Sequence, residues 1–278
     1  MKALKPLIII CVAALFATSC KKDVDMTLVE KTLFENTIIS QIEVSDAWNV
    51  NVVADSVTYV KVEYSAYLAD KLSVTMEGNK LHIGFNGKVY TQIGSVFQAT
   101  VHTNRLEQLD VDEAAKVNCS GAFVGQQVRV DLDDAAMCNG LIFSGETCEI
   151  DMDNASVMTG FVFTGTACNA ELDNASQFNG QICASNQMDI DLDNASRFVN
   201  KVVGETAEVS IKSQNVSILN MVETTIGEMH VELLTGSEAT VQVSSLLEGQ
   251  LKDGSTLYYK GTPQLQVDCD ESSSIHPL

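Results

Sequence analysis

Two rows of carboxylates at a fixed spacing are the residues of this chain best placed to do chemistry. Asp131, Asp151, Glu171 and Asp191 recur every 20 residues, and Asp133, Asp153, Asp173 and Asp193 recur two positions after them. On stacked strands like residues lie about 4.8 Å apart, and carboxylates at that distance repel by roughly 0.9 kcal/mol per pair in water, less in salt. Alternation around Leu132 and its equivalents points both rows outward. Such rows could hold Ca2+, a hard cation that takes roughly six to eight oxygens, with Asn carbonyls or water completing the shell. They equally suit a solvated acidic face. A glycosidase would need two carboxyls in contrasting environments at a defined separation; these repeat identically, so nothing singles out a pair. The Asn-Thr-Asp and Arg-Ile-Lys signatures of polygalacturonases are missing, and Arg129 and Arg197 lack the context of a lyase base. His82, His102, His230 and His276 are scattered without a ligand spacing, and no G-x-S-x-G, P-loop or dinucleotide fingerprint occurs. The expectation is a non-enzymatic chain with no cofactor beyond that Ca2+. A polysaccharide-processing enzyme and a purely structural envelope component are the alternatives.

The element that must position these acids is a repeat. Residues 130–149 read VDLDDAAMCNGLIFSGETCE, and 150–169 read IDMDNASVMTGFVFTGTACN. Residues 170–189 and 190–209 follow as AELDNASQFNGQICASNQMD and IDLDNASRFVNKVVGETAEV. Looser echoes continue at Glu113, Asn215, Thr235, Asp253-Gly254-Ser255 and Glu271-Ser272-Ser273. Apolar residues alternate with polar ones, which argues strand rather than helix. Val130, Leu132, Cys138 and Ile142 have the counterparts Ile150, Met152, Met158 and Val162, then Ala170, Leu172, Phe178 and Ile182; these form the expected core. A unit of about 20 residues with short strands suits one coil of a β-helix; a leucine-rich repeat lacks its consensus here, and a propeller blade needs about twice the length. An antiparallel sandwich has no reason to keep an in-register repeat. Stacking places Asn154, Asn174, Asn194 and Asn215 in one column at a bend, where Asn tolerates unusual backbone angles and its amide bonds along the stack. Ala155, Ala175 and Ala195 suit a tight corner, and Gly140, Gly160 and Gly180 form a second bend.

The start of the chain points outward from the cytoplasm. Lys2 and Lys5 precede an apolar run from Leu7 to Ala17, too short to span a bilayer and matched to a secretory signal. Ala17-Thr18-Ser19-Cys20 resembles the bacterial lipobox, which implies acylation of Cys20 and membrane attachment through that lipid. The formal charge of −20 deepens when the two signal lysines leave, and such a surface repels nucleic acid. Cys119, Cys138, Cys148, Cys168, Cys183 and Cys269 show neither a CxxC pair nor metal spacing. Cys148 and Cys168 are expected as inward-facing stacked neighbours and free thiols. Trp48, Tyr59, Tyr64, Tyr67 and Tyr90 cluster in the N-terminal third, the place to look for stacking on sugars if core packing does not claim them.

Several of these residues together carry a family resemblance. Ile42-Glu43-Val44-Ser45-Asp46-Ala47-Trp48-Asn49-Val50, the KLHIGF segment at 80–85, the LDNAS units and Tyr259-Lys260-Gly261-Thr262-Pro263 resemble the bacterial autotransporter adhesins with a head GIN domain, common among Bacteroidetes lipoproteins. The likeness spans roughly residues 38–275. Members more often carry LSGAS at the corner, so Asp-Asn in place of Ser-Gly makes this chain's corner unusually acidic. The resemblance implies an all-β, right-handed parallel β-helix with about 20-residue rungs and an irregular N-terminal sheet cap around 38–100. The expected organisation is a lipoprotein signal peptide at 1–19, a lipidated tether at 20–37 and the β-helix domain at 38–278. The expected setting is the cell envelope, as an outer-membrane lipoprotein on its periplasmic or surface face, with a cell-surface glycan or protein as ligand.

Overall fold

The computed structural model describes residues 24–278, so residues 1–19, read as a signal peptide, and Cys20, read as the lipidation site, lie outside the described residues. The chain is the expected all-β parallel solenoid: about eight stacked coils with rungs of about 20 residues. The helical element among the described residues is a 3-10 turn at Ala66–Leu68, and among those residues no helix is long and apolar enough to cross a membrane.

Each coil has three short faces, seen in one repeat as Gln127–Leu132, Met137–Asn139 and Ile142–Ser144. The first and second meet at a corner of two consecutive residues with positive φ. In the repeats these are Asp134-Ala135, Asn154-Ala155, Asn174-Ala175 and Asn194-Ala195, with φ from 45° to 66°. Left-handed angles cost an ordinary L-residue roughly 1–2 kcal/mol, and Asn less. Alanine bears that cost at the second position, a stronger demand than a merely tight corner. The Ser156 N–H closes the turn on the Asp153 carbonyl at 3.2 Å, and the Ala155 N–H donates to the Asn174 carbonyl of the next coil at 2.8 Å. The same conformation recurs at Asp46-Ala47, Glu113-Ala114, Asn215-Val216, Thr235-Gly236 and Asp253-Gly254. Glu271-Ser272 keeps a turn, closed by Ser273 N–H on Asp270, without left-handed angles.

Inside, like residues stack on like. Val130, Leu132 and Cys138 are buried with Ile150, Met152 and Met158, and with Ala170, Leu172 and Phe178. The third face departs from the expected core: Ile142 is exposed and Val162 half-buried. The inward residues there are Phe143 and Phe163, stacked with ring centroids 6.4 Å apart. Ile182 is buried after all, because the pairing slips between Thr159 and Phe161 and sets Ile182 opposite Phe163. A slip of one residue exchanges the inward and outward sets. It also removes Gly180 from the expected bend: Gly140 and Gly160 have φ of 74° and 63°, whereas Gly180 lies in a strand opposite Phe161. A second glycine column, Gly125, Gly145 and Gly165, turns the chain from the third face back to the first. A Cβ on Gly165 would stand 2.4 Å from the Gly145 carbonyl oxygen and 2.3 Å from the Phe163 ring.

The N-terminal cap extends two of these faces. Beyond Asn49–Ala54, the second-face ladder continues to Phe97–Thr103, then antiparallel to Tyr59–Ser65 and Leu28–Leu33. Beyond Gln41–Val44, the first-face ladder continues to Lys80–Phe85 and its antiparallel partner Leu72–Glu77. Leu28–Leu33 falls inside the stretch 20–37 read as tether. Its backbone pairs residue by residue with Tyr59–Ser65, and Val29 and Leu33 pack on the core, so the folded part begins near residue 28. At the other end the coils tighten. Leu247 stands opposite Leu265, and hydrogen bonds between corners there span 18 residues, as from Gly254 N–H to Ser272.

Candidate functional site

The first face carries every acid singled out by spacing. Its outward positions form four rows. One runs Asp110, Asp131, Asp151, Glu171, Asp191 and Lys212. A second, at the corner, holds Asp133, Asp153, Asp173 and Asp193. The remaining two are mostly polar, with Arg129, Glu149, Asn169, Asp189, Ser210 and His230 in one, and Gln127, Thr147, Gln187 and Glu208, interrupted by Ala167, in the other.

The two acidic rows differ in chemistry. In the corner row each carboxylate is already engaged by the turn. Asp153 Oδ1 accepts the Asn154 N–H at 2.6 Å and the side-chain amide of Asn174, one coil on, at 2.7 Å. Asp133 and Asp173 do the same with Asn154 and Asn194, and Asp193 with Asn215 at 2.6 Å. The amides also reach each other, Asn194 to Asn174 at 3.3 Å and Asn215 to Asn194 at 3.2 Å. Charge-assisted donors of this kind spread the negative charge of the row along the stack. The Asn column therefore serves the acids as well as the backbone.

The other row is held by cations at its ends and in its middle. Lys80 reaches Asp110 at 3.2 Å and Glu43 at 2.6 Å. The Arg129 guanidinium lies 3.7 Å from both Asp131 and Asp151 and 2.8 Å from Glu149. Lys212 stands 3.4 Å from Asp191. Partial burial still pushes the Asp131 and Asp151 carboxyls above their ordinary range. The neighbouring carboxylates add to it, Asp151 acting on Asp131 and Glu171 on Asp151, while Arg129 opposes the shift. Two carboxyls moved the same way by the same causes do not divide into an acid and a base.

Among the described residues, the group of three acids whose oxygens close to within 4.8 Å is Asp112, Asp133 and Asp134. Of the eight spaced acids only Asp133 belongs to it. Sequence reasoning missed Asp112 and Asp134: Asp134 stands at the corner position that Asn fills in the later coils, and Asp112 lies one coil before the strict repeat.

Two grooves lie side by side on the polar half of this face. One is lined by residues that include Arg129, Glu149, Asn169, Gln187 and Asp189, with Ala167 among them and the backbone of the inward-facing Val128, Cys148 and Cys168 beneath. The next includes Glu208, Ser210, Glu228, His230 and Glu248, and shares Gln187 and Asp189 with the first. They join into one trough along the solenoid axis, from the strand at Gln127–Leu132 to the strand at Glu238–Leu251. A third groove runs beside it between the acidic rows, lined by Asp151, Asp153, Glu171, Asp173, Asp191 and Asp193 together with Lys212 and Gln214. Sequence reasoning missed the trough, although Gln187 and Asn169 stood at fixed places in the repeat. Their shared face shows only once the register is known.

The remaining candidates fall elsewhere. Trp48 is fully buried against Phe85 and Phe97, and Tyr64 is buried too, so the aromatic cluster is mostly core of the cap. Tyr59 stacks on His102, whose Nδ1 lies 2.9 Å from Asp55. Tyr90 alone of the five is largely exposed. Cys148 and Cys168 are buried, directly opposed and free; burial raises the Cys148 thiol well above its ordinary value.

Comparison with known proteins places this geometry. No curated protein matches the chain. Among solved structures, a "putative adhesin" from Parabacteroides merdae is similar, with a TM-score of 0.62 at 11% identity over 92% of this chain and 98% of that one. A "putative adhesin" from Parabacteroides distasonis gives 0.62 at 13% over the same shares. A "putative lipid binding protein" from the same species gives 0.56 at 14%, also over 92% and 98%. At these identities the likeness is one of fold. Residues 39–263 match the family described as "Putative auto-transporter adhesin, head GIN domain", most of the chain, so the protein belongs to that family.

Proposed function

We propose that the chain is a non-enzymatic binding module of the cell envelope, held to the outer membrane by acylated Cys20, with the first-face trough as its ligand site. The observation that carries this reading is the continuity of the two grooves through Gln187 and Asp189. A trough crossing successive rungs at about 4.8 Å per step suits an elongated ligand that repeats its contacts. Its amides, hydroxyls and the Arg129 and His230 side chains offer hydrogen bonds to such a ligand. The acids along both sides repel polyanions, so the ligand class is a neutral or cationic glycan, or a protein segment of like character. Membership of an adhesin family supports binding rather than turnover. An array of cell-surface glycans and peptides probed with the mature protein tests it. Binding to neutral or basic members, lost in Asn169→Ala and Gln187→Ala, is the expected result. Binding confined to acidic polysaccharides, or release of product from them, would favour the enzyme instead.

A second reading concerns cations. The close approach of Asp112, Asp133 and Asp134 favours that corner for Ca2+, and the Asn154 amide, which donates to both Asp133 and Asp134, would have to yield to the ion. Millimolar Ca2+ is then expected to raise Tm, and Asp134→Asn to abolish that rise. An unchanged Tm removes the reading.

A further inference from the structure

One pole of the N-terminal cap gathers large apolar side chains that nothing in the domain covers. Ile93 is fully exposed at 105% and Tyr90 is 82% exposed, with Leu28 at 56% and Met26 at 39%. Separate segments contribute them, and hydrogen bonds hold those segments together. The Tyr67 hydroxyl receives the Gln92 N–H at 3.0 Å and meets Ser95 Oγ at 2.5 Å, which fixes the base of the loop carrying Tyr90 and Ile93. The Tyr67 N–H in turn donates to the Asp25 carbonyl at 3.1 Å, and Ala66 N–H to Thr27 at 2.8 Å. Leu28 pairs with Ser65, whose N–H donates to Val96 at 2.9 Å. The chain therefore enters the domain beside the exposed loop. The pole is also close to neutral within a strongly acidic protein: residues 24–28, 66–71 and 86–95 carry Asp25 and Asp70 against Lys71 and Lys88.

From this we infer that the pole formed by Met26, Leu28, Tyr90 and Ile93 is a membrane-contact surface, seated on the phospholipid leaflet that holds the lipid anchor. The inference rests on the reading of Cys20 as acylated. Four residues lie between Cys20 and Asp25, five chain steps with a reach of at most about 18 Å, so an anchored chain brings this pole to the headgroups before any other part. Tyr partitions to the bilayer interface, with its ring at headgroup level, and isolated aliphatic side chains gain by burial just below it. The local balance of charge lets the pole approach an anionic leaflet that the acidic first face cannot. Such seating fixes which way the solenoid points, so that the trough, following the solenoid axis, leads away from the lipid.

The test uses fluorescence in the full lipoprotein reconstituted into phosphatidylcholine–phosphatidylglycerol vesicles with brominated acyl chains. Trp48 is buried and gives a constant background. Tyr90→Trp reports on the pole. Val203→Trp is the control at a residue 89% exposed, following a strand six ladder steps from Phe97–Thr103, about 29 Å away at rung spacing. Blue-shifted emission that is lost in brominated vesicles for Tyr90→Trp, and unchanged for Val203→Trp, is the result expected. Ile93→Ser in the Tyr90→Trp background should restore the emission while the protein stays with the vesicles. Mass measurement of the Cys20 peptide reads the anchor separately. An acylated chain whose Tyr90→Trp emission ignores the bromine overturns the contact and leaves the anchor standing. A chain without acyl groups overturns the anchor, and with it this inference. A blue shift that needs no lipid and grows with protein concentration assigns the pole to a second copy of the chain, and overturns it as well.

Discussion

The coils between Asn154 and Asn215 and those from Thr235 onward solve the same left-handed corner by different means. In the first group Asn occupies the first left-handed position and lends its amide to the Asp of the coil before, at 2.6 to 2.8 Å. In the second, glycine takes the second position at Gly236 and Gly254, with φ of 73° and 80°, and no amide column runs along the stack. The difference teaches that the corner conformation does not depend on the Asn residues. What they add is a sink for negative charge, and that is what permits an Asp in every rung of the face. The corner row ends with the amide column: Asp193 takes the last amide, from Asn215, and its place in the following coils is held by Gln214, Leu234 and Lys252.

The largest expected effect separates close packing from open space. Gly165→Ala drives a methyl into the Gly145 carbonyl and the Phe163 ring and is expected to cost about 3 kcal/mol. Gly254→Ala, with nothing within 4 Å, is expected to cost only the left-handed angle, about 1 kcal/mol; chemical denaturation measures both. Smaller, and directed at the amide column itself, is Asn174→Gly. It keeps the angle but removes the bond to Asp153, for an expected loss of about 1 kcal/mol. Thr235→Gly at the equivalent corner is expected to leave stability unchanged or slightly raised. Equal losses at the two corners would dissolve the distinction. The smallest effect is in pH dependence. Asp131 and Asp151 are raised chiefly by burial, and Glu113 chiefly by its hydrogen bond to Asp46. A raised carboxyl binds its proton more tightly in the folded state, so stability is gained as pH falls through the folded value toward the ordinary 3.8 to 4.5. Glu43 is lowered, chiefly by Lys80, and its contribution is lost as pH falls through its own folded value. Tm is therefore expected to rise modestly as pH falls toward the ordinary carboxylate range and to fall again at lower pH, as Glu43 takes up its proton.

Much of this architecture was legible in the residues. The LDNAS units reported the coil length, the corner and the inward set on the first and second faces, because a stacked fold repeats its demands in register. The third face was harder. Ile142 and Phe143 are adjacent apolar residues, and only the kink at Gly140 decides which one faces in. The column Gly125, Gly145 and Gly165 was in plain view, but its cause is a carbonyl in the coil before, a contact that periodicity alone does not reveal. Leu28–Leu33 was hidden for another reason. As an edge strand it buries little, so its hydrophobic signal is weak, and its partner lies about 30 residues away. The trough was hidden most of all, since it is built from residues that differ from coil to coil.

The most direct test is covalent labelling of carboxyl groups, read by mass spectrometry, with and without the strongest array-selected ligand. The account predicts protection of Glu149, Asp189, Glu208, Glu228 and Glu248 across successive coils, while Glu205, Glu223 and Glu238 stay as reactive as before. Protection of the second set, or of a single coil alone, would contradict a binding site that runs along the axis of the solenoid.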